Sequence, residues 1–477
     1  MRKLGDLELD KVHQGYCPDA LKQLPDECIQ TAITSPPYWG LRQYEGVQPQ
    51  IWGGASDCEH EWLEEKKHPK GSGGPSEKQL TNPGSRFEAT VGKFCSKCGA
   101  WSGCLGLEPT PELYVDHLVE VCREVRRVLR KNGILWVNIG DSYLGGGRGG
   151  QGQCGHGSME EERYESGQKI GLPTGKVRGY KKGDMAGVPW ALAFALRDDG
   201  WWLKQDIIWE KPSPMPESVT IRCTRSHEYV FMFAKSDKYY HDHIAIQEDA
   251  TATTIERYKY GWHGRTGDKD DAMTMGQRVG NTFQKCADSD LTMGEVIRCP
   301  GKRNKRSVWR VNTASERDSH FAVFPEELII PMIDACTSEH GACAKCGAPY
   351  ERILEQVNPN AITSGRGDLQ AEQQKDEGRL SLQRPTAIRD DNVGYYETIG
   401  WKKTCECECE EVVPCVVLDP FAGSGTTIAT SIKRGRNAIG FDASEVYVGE
   451  IAKYKVEKGR TGLSKAEQKA GQKWLFD

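Results

Sequence analysis

No stretch of this chain approaches the roughly 18 consecutive apolar residues that a membrane-crossing helix needs. The first residues, Met1-Arg2-Lys3-Leu4-Gly5-Asp6, carry no apolar segment of the secretory kind. Hydrophobic residues make up only 37% of the sequence, and mean hydropathy is -0.62. These absences exclude a helical membrane protein and lead us to expect a cytoplasmic one. There is no fixed-period repeat, which excludes a solenoid. There is no excess of positive charge either. The net charge of -5 speaks, by itself, against a nucleic-acid partner. Cysteine, by contrast, is abundant, with 18 residues. In a reducing compartment disulfides do not persist, so paired cysteine spacings point to metal. A length of 477 residues allows one large domain or two to three ordinary ones, with a substantial core.

The charge is unevenly spread. From Thr251 to Arg310 there are 12 Lys or Arg against 7 Asp or Glu, including the run Lys302-Arg303-Asn304-Lys305-Arg306. Such a surface in an acidic chain either follows a phosphate backbone or is a solvated loop.

Hydrophobic periodicity outlines the elements. Residues 8–34 read as a short strand, a helix with Leu21, Leu24 and Cys28 on one face, and a strand running into Ser35-Pro36-Pro37. A helix is expected from about Thr110 to Leu129, with Pro111 at its start. Asn132-Gly133 then turns the chain into a strand, Ile134–Ile139. A helix at Val188–Arg197, strands at Trp202–Trp209 and Ser226–Ala234, and a helix at Phe324–Ala335 follow. The last part reads strand (Cys415–Leu418), glycine loop, helix (Thr426–Lys433), strand (Asn437–Phe441) and helix. Strands alternating with helices predict an α/β fold with a doubly wound sheet. Residues 45–106 and 338–411 are polar and weakly patterned and read as insertions; 144–185 reads as a flexible glycine-rich loop.

Asp419-Pro420-Phe421-Ala422-Gly423-Ser424-Gly425-Thr426-Thr427 follows a buried-strand run. Ligands of doubly wound sheets bind at such strand ends. Gly423 and Gly425 allow close backbone approach, and the helix starting at Thr426 can receive a carboxylate. The next strand ends at Asp442, whose carboxylate can accept from a ribose diol. A phosphate loop is disfavoured because its lysine is missing. Near the other end stands Thr34-Ser35-Pro36-Pro37-Tyr38-Trp39, a proline-fixed turn after a strand.

Together these two strings resemble the amino-directed DNA methyltransferases, which make N4-methylcytosine or N6-methyladenine. Gly133–Tyr143, Trp201–Ser218, Arg225–Phe231 and His320–Leu328 are similar to further segments of that family. The resemblance spans most of the chain outside the insertions and residues 242–306. It implies a Rossmann-like methyltransferase sheet. With the catalytic motif first and the cofactor motif last, that sheet is circularly permuted, as in the family's β class. It also implies S-adenosylmethionine as cofactor, held by Asp419, Phe421, Gly423, Gly425, Thr426 and Asp442. Ser35 and the carbonyl of Pro36 would accept hydrogens of the target amino group, Pro37 would fix the turn, and Tyr38 would stack on the flipped base. The partner would be double-stranded DNA, with a cognate restriction endonuclease in the same system. The family often has Gly-Asp where this chain has Gly15-Tyr16; either Asp19 or a stacking Tyr16 would then serve the adenine. Ser at the first motif position favours cytosine N4, with adenine N6 as the alternative. A protein glutamine N5-methyltransferase and a non-catalytic zinc DNA-binding protein are disfavoured, by Ser35 with the motif order and by the intact motifs respectively. Cytosine C5 chemistry would need a Pro-Cys nucleophile; Pro414-Cys415 exists but leads into the cofactor strand.

Two cysteine sets have zinc-ligand spacing. Cys58 and His60 precede Cys95-x-x-Cys98, and Cys343-x-x-Cys346 precedes Cys405-x-Cys407. His68 and Cys104 could replace His60, and Cys409 could replace Cys405 or Cys407. Both sets lie in polar insertions that would gain their stability from metal, so two structural zinc ions are expected. The resulting division is 1–44, 107–241, 307–337 and 412–477 for the methyltransferase core. Residues 45–106 and 338–411 are the zinc-binding insertions, and 242–306 is the target-recognition region.

Overall fold

The structure, a computed structural model, describes residues 2–40, 46–63, 92–144, 180–181, 183–214, 216–217, 219–251, 302–313, 324–357 and 395–462. The chain forms two compact units. One comprises Met1–His241, Ser307–Pro349 and Cys407–Asp477; the other comprises Asp242–Arg306 and Tyr350–Glu406.

The first unit is built on an eight-stranded sheet. Its strands are β1 (Lys11–Gln14), β2 (Ile29–Thr34), β3 (Leu129–Ile139), β4 (Trp202–Glu210), β5 (His227–Ala234), β6 (Val308–Arg310), β7 (Val416–Asp419) and β8 (Asn437–Asp442). The spatial order is β6-β4-β5-β3-β2-β7-β8-β1. Neighbours run parallel except β5, which is antiparallel to both β3 and β4. Every residue of β2 and β7 is buried, as central parallel strands covered on both faces require.

Among the described residues, five helices accompany the sheet: α1 (Pro111–Val128), α2 (Val188–Asp198), α3 (Glu326–Cys336), α4 (Thr426–Lys433) and α5 (Lys453–Thr461). The alternation of β3 shows that they cover opposite faces. Leu135, Val137 and Ile139 join the core shared with Leu118, Val125 and Leu192 of α1 and α2. Trp136 points the other way, and its Nε1 donates to Cys336 Sγ of α3 at 3.2 Å. This is a doubly wound Rossmann-like α/β sheet.

The N-cap of α1 follows sequence. Thr110 accepts from the Leu113 amide at 3.2 Å, and Pro111 occupies the first turn of α1. Two expectations are corrected. The helix expected before β2 is only a 3-10 turn, Asp19–Gln23, because Pro18 and Pro25 bracket it; Leu21 and Leu24 are nevertheless buried. Asn132-Gly133 does not precede β3 but lies inside it as an irregularity. Ile29 pairs with Leu129 and Thr31 with Ile134, so two residues of β2 span five of β3. The first insertion carries short strands. Gln50–Trp52, Lys93–Phe94 and Trp101–Gly103 form a three-stranded sheet.

In the second unit, Glu351–Val357 and Tyr395–Lys402 form an antiparallel ribbon. Arg352 binds Asp242 at 2.6 Å and lies 4.5 Å from the Trp401 ring centroid. Lys302 pairs with Asp249, while Arg303, Lys305 and Arg306 surround Glu248. Among the described residues these four cations meet two carboxylates. Most of residues 242–306 lie outside the described residues, as does 320–323 of the segment expected to cover the cofactor.

Candidate active site

β2 and β7 are parallel neighbours, with Val417 opposite Thr31 and Leu418 opposite Ala32. Both strands therefore end at the same edge of the sheet. From β2 the chain winds outward through α1 to β3, and from β7 it winds the other way through α4 to β8. The topological switch point, where ligands of such sheets bind, lies between the two strings singled out in the sequence. A cleft of about 790 Å³ opens there. Ser35, Pro36, Pro37 and Tyr38 line it from one side, and Phe421, Gly423, Thr426 and Asp442 from the other.

Two cofactor candidates sit differently from the rest. Asp419 is buried at 1% exposure and does not line the cleft. Its oxygens accept from the hydroxyls of Thr34 at 2.8 Å and Thr427 at 2.6 Å, and from the Phe421 amide at 3.1 Å. Burial raises its carboxyl to about 6 despite these donors. Asp419 shapes the loop. Gly425 caps α4 with φ +78, a conformation that favours glycine, and does not line the cleft either. Asp442 does line it, and burial raises its carboxyl. Its oxygens accept from the amides of Gly423 and Ser444, each at 2.9 Å, with lone pairs left over for a diol. Of the two candidates for the missing acid, Tyr16 lines the cleft, and its hydroxyl accepts from the Gln48 amide at 2.9 Å. Asp19 instead pairs with Lys22 on the surface at 2.7 Å.

The proline turn is held from several sides. Tyr114 Oη donates to Pro37 O at 2.6 Å, Trp39 Nε1 to Glu108 O at 2.9 Å, and Ser142 Oγ to Trp39 O at 2.9 Å. The Tyr38 ring lies against Gly140, where a Cβ would fall 2.6 Å from its Cε2. Ser35 Oγ donates to Tyr38 Oη at 3.4 Å, and Tyr38 Oη donates to Glu228 Oε2 at 2.9 Å, with Asn138 Oδ1 at 3.2 Å. Burial, together with the Glu228 carboxylate, holds the Tyr38 phenol well above its ordinary value, so it stays protonated. Lys211 pairs with Glu228 and lies over the Trp209 ring, 4.4 Å from its centroid. Arg225 also lines the cleft; its buried Nη1 has no hydrogen-bond partner among the described residues. Asn138, Lys211, Arg225 and Glu228 received no role from sequence. They fall within strings that resemble the family, and three of them stand near the ends of β3, β4 and β5, which was the available signal.

The cysteine sets assemble. Cys58, His60, Cys95 and Cys98 place their ligand atoms within 4.8 Å of one another, and so do Cys343, Cys346, Cys405 and Cys407. The substitutes do not take part: Cys104 Sγ points to Val47 O and Cys409 Sγ to Glu411 O, while His68 lies outside the described residues. Both Cys-x-x-Cys-Gly-Ala strings fold alike. The Cys95 amide donates to Ala100 O and the Gly99 amide to Cys95 O; Cys343, Ala348 and Gly347 repeat the pattern. Three thiols with one imidazole, and four thiols, are donor sets that suit tetrahedral zinc, and each set could hold an ion with no open position. The second turn docks on the core: Gln30 Nε2 donates to Gly347 O at 2.9 Å, and Gln30 Oε1 accepts from the Val416 amide at 2.6 Å. Gln30 and Val416 begin β2 and β7, so this turn sits at the end of the sheet opposite the cleft.

The first set leads toward the cleft. Trp101, close after Cys98, and Trp52 stack on His117 of α1, with ring centroids 5.3 and 4.7 Å away. His117 Nδ1 meets Glu108 Oε1 at 2.9 Å, and Glu108 Oε2 accepts from the Gly106 amide at 2.7 Å. Gly106 O in turn accepts from the Gly40 amide beside the proline turn.

Comparisons of the sequence with known proteins point to one family. The DNA methylase family model (N6_N4_Mtase) matches residues 29–344 and 415–453. Type II methyltransferase M.Cfr9I of Citrobacter freundii is 32% identical over 324 residues, covering 68% of this chain and 71% of its own. Type II methyltransferase M.SfiI of Streptomyces fimbriatus is 26% identical, covering 92% of this chain and 89% of its own. A putative DNA modification methylase from Thermus thermophilus, solved in complex with S-adenosyl-L-methionine, aligns over 95% of this chain and 96% of its own. Its identity is 16% and its TM-score 0.38. The chain belongs to the DNA methylase family of N6/N4 amino-methyltransferases. Its activity is that of an S-adenosylmethionine-dependent DNA amino-methyltransferase.

Proposed function

We propose that the chain methylates the N4 amino group of a flipped cytosine within a specific duplex sequence. The observation that carries this is Ser35 on the cleft wall, a neutral hydroxyl whose proton is given to Tyr38 and whose lone pairs are left for an amino hydrogen. In the family resemblance, Ser at this position favours cytosine. S-adenosylmethionine supplies an activated methyl group when bound. Gly423, Phe421 and Thr426 would form its cradle and Asp442 would accept from its ribose diol. Asp419 would hold the cradle against β2. Ser35 and the Pro36 carbonyl would polarise the amino group, and the Tyr38 ring would face the extruded base. Residues 242–306 would read the sequence, with the basic run from Lys302 on phosphates. The two cysteine sets would hold structural zinc. The relatives are Type II methyltransferases by name, which supports a role beside a cognate restriction endonuclease. Among the described residues no helix is long and apolar enough to cross a membrane.

The test is nucleoside mass spectrometry of unmodified mixed-sequence DNA incubated with the protein and S-adenosylmethionine. N4-methylcytosine is the expected product. N6-methyladenine would keep the chemistry and overturn the base. Neither product, with cofactor bound, would overturn the assignment of DNA as substrate.

A further inference from the structure

We propose that Ser35, Tyr38 and Glu228 form a proton-transfer chain that removes the surplus proton from the methylated amino nitrogen, with Glu228 as the terminal acceptor. The inference rests on the reading of the cleft as an amino-methyltransferase site. It goes beyond that reading by giving the proton a defined route.

The direction of donation fixes the chain. A carboxylate cannot donate, so the 2.9 Å contact between Tyr38 Oη and Glu228 Oε2 uses the phenolic proton. Tyr38 Oη must then accept in its 3.4 Å contact with Ser35, which uses the serine proton. Ser35 is left with acceptor lone pairs only, the form an amino hydrogen requires. The competing acceptor for Tyr38, Asn138 Oδ1, is farther away at 3.2 Å and uncharged, while Asn138 Nδ2 donates to Glu228 Oε2 and to Tyr229 O, each at 3.2 Å. Lys211 occupies the other oxygen of Glu228. Tyr38 lies 190 residues from Glu228 and 100 from Asn138 in the chain, so the ends of three strands are needed to build the network.

The step balances. The amino nitrogen forms a bond to the methyl carbon as the carbon–sulfur bond of the sulfonium breaks, and that electron pair stays on sulfur. The nitrogen loses a proton to Ser35 Oγ, Ser35 passes its own to Tyr38 Oη, and Tyr38 passes its own to Glu228 Oε2. Ser35 and Tyr38 end as they began. The sulfonium's positive charge and the carboxylate's negative charge disappear together. Glu228 returns its proton to water once the base has left. Tyr38 touches the base and is a catalytic residue; Glu228 acts through it and is a positioning residue.

Tyr38→Phe keeps the ring and removes the hydroxyl; Glu228→Gln keeps the shape and removes the acceptor. Single-turnover methyl transfer should fall about 100-fold or more in each, the scale of lost acid–base assistance. Affinity for S-adenosylmethionine and for DNA should stay within about twofold. So should the fluorescence of 2-aminopurine placed at the target base, which reports flipping. The wild type should turn over more slowly in deuterium oxide, and Tyr38→Phe should lose that isotope effect. A wild-type rate that is equal in both solvents, or a Tyr38→Phe rate equal to wild type, overturns the chain while leaving the methyltransferase assignment intact. A wild type that methylates no base on DNA overturns the underlying reading instead.

Discussion

The hydroxyl of Thr34 donates to the carboxylate of Asp419 at 2.8 Å across 385 residues of sequence. One residue ends the strand before the proline turn and the other ends the strand before the glycine loop. The bond locks the two halves of the cleft at their shared edge.

The burial of Asp419 carries a pH signature. Asp419 is fully buried, and its carboxyl is raised from 3.8 to about 6. The folded state therefore binds more protons than the unfolded state between those values, and stability falls as pH rises from about 4 to about 6, then levels off. The span corresponds to about 3 kcal/mol. Urea unfolding of Asp419→Asn between pH 4 and 7 should lack that slope. An unchanged slope would remove Asp419 as its source.

His117→Ala should weaken the first unit by about 3 kcal/mol, because Glu108 would be left buried without its partner. Burial already raises the Glu108 carboxyl. Turnover should fall more than cofactor affinity does, since Glu108 and Gly106 brace the proline turn rather than the glycine loop. Equal losses in both would place the effect elsewhere.

Elemental analysis should find two zinc ions per chain. Cys98→Ser and Cys343→Ser should each reduce that to one. Stripping the first set with a chelator should also change tryptophan fluorescence, because Trp52 and Trp101 stack on His117 beside it. Purified protein with no bound metal and unchanged fluorescence on chelation would reject both sites.

Gly140→Ala would set a methyl group 2.6 Å from Tyr38 Cε2. The ring must shift by about 1 Å to restore contact distance, a displacement that can cost on the order of 100-fold in rate. Binding of S-adenosylmethionine, measured by calorimetry, should be unaffected. A fully active variant would show that the Tyr38 position is not critical.

Much of this was legible in sequence because it is local. Thr426–Lys433 carries a helical pattern between a glycine loop and Arg434-Gly435, and the helix has those bounds. The knuckle cysteines announce themselves by spacing. What was not legible depends on pairing at a distance. The roles of Asn138, Lys211 and Glu228 follow from strands β3, β4 and β5 lying side by side, with one of them reversed. Nothing in the spacing of those residues shows that. Asp419 shows the same limit in another way. Its place in a ligand loop suggested contact with the ligand, while Thr34, Thr427 and Phe421 leave it facing inward. The ribbon at Glu351–Val357 and Tyr395–Lys402 was missed although both stretches carry β-branched or aromatic residues, because they stand far apart inside a longer polar insertion and pair only with each other.

The placement of β7 between β2 and β8 also orders events in time. As the chain leaves the ribosome, β2 must wait for nearly 400 residues before its central neighbour β7 emerges. Until then the sheet has an open seam where the cofactor cradle belongs. A nascent or prematurely ended chain can bury its α1–α2 face and still have no Asp419 for Thr34 and no Asp442 on the cleft wall. Competence to modify DNA therefore arrives in one step, only once β7 and β8 have been made, and partial products that stop short of them remain silent.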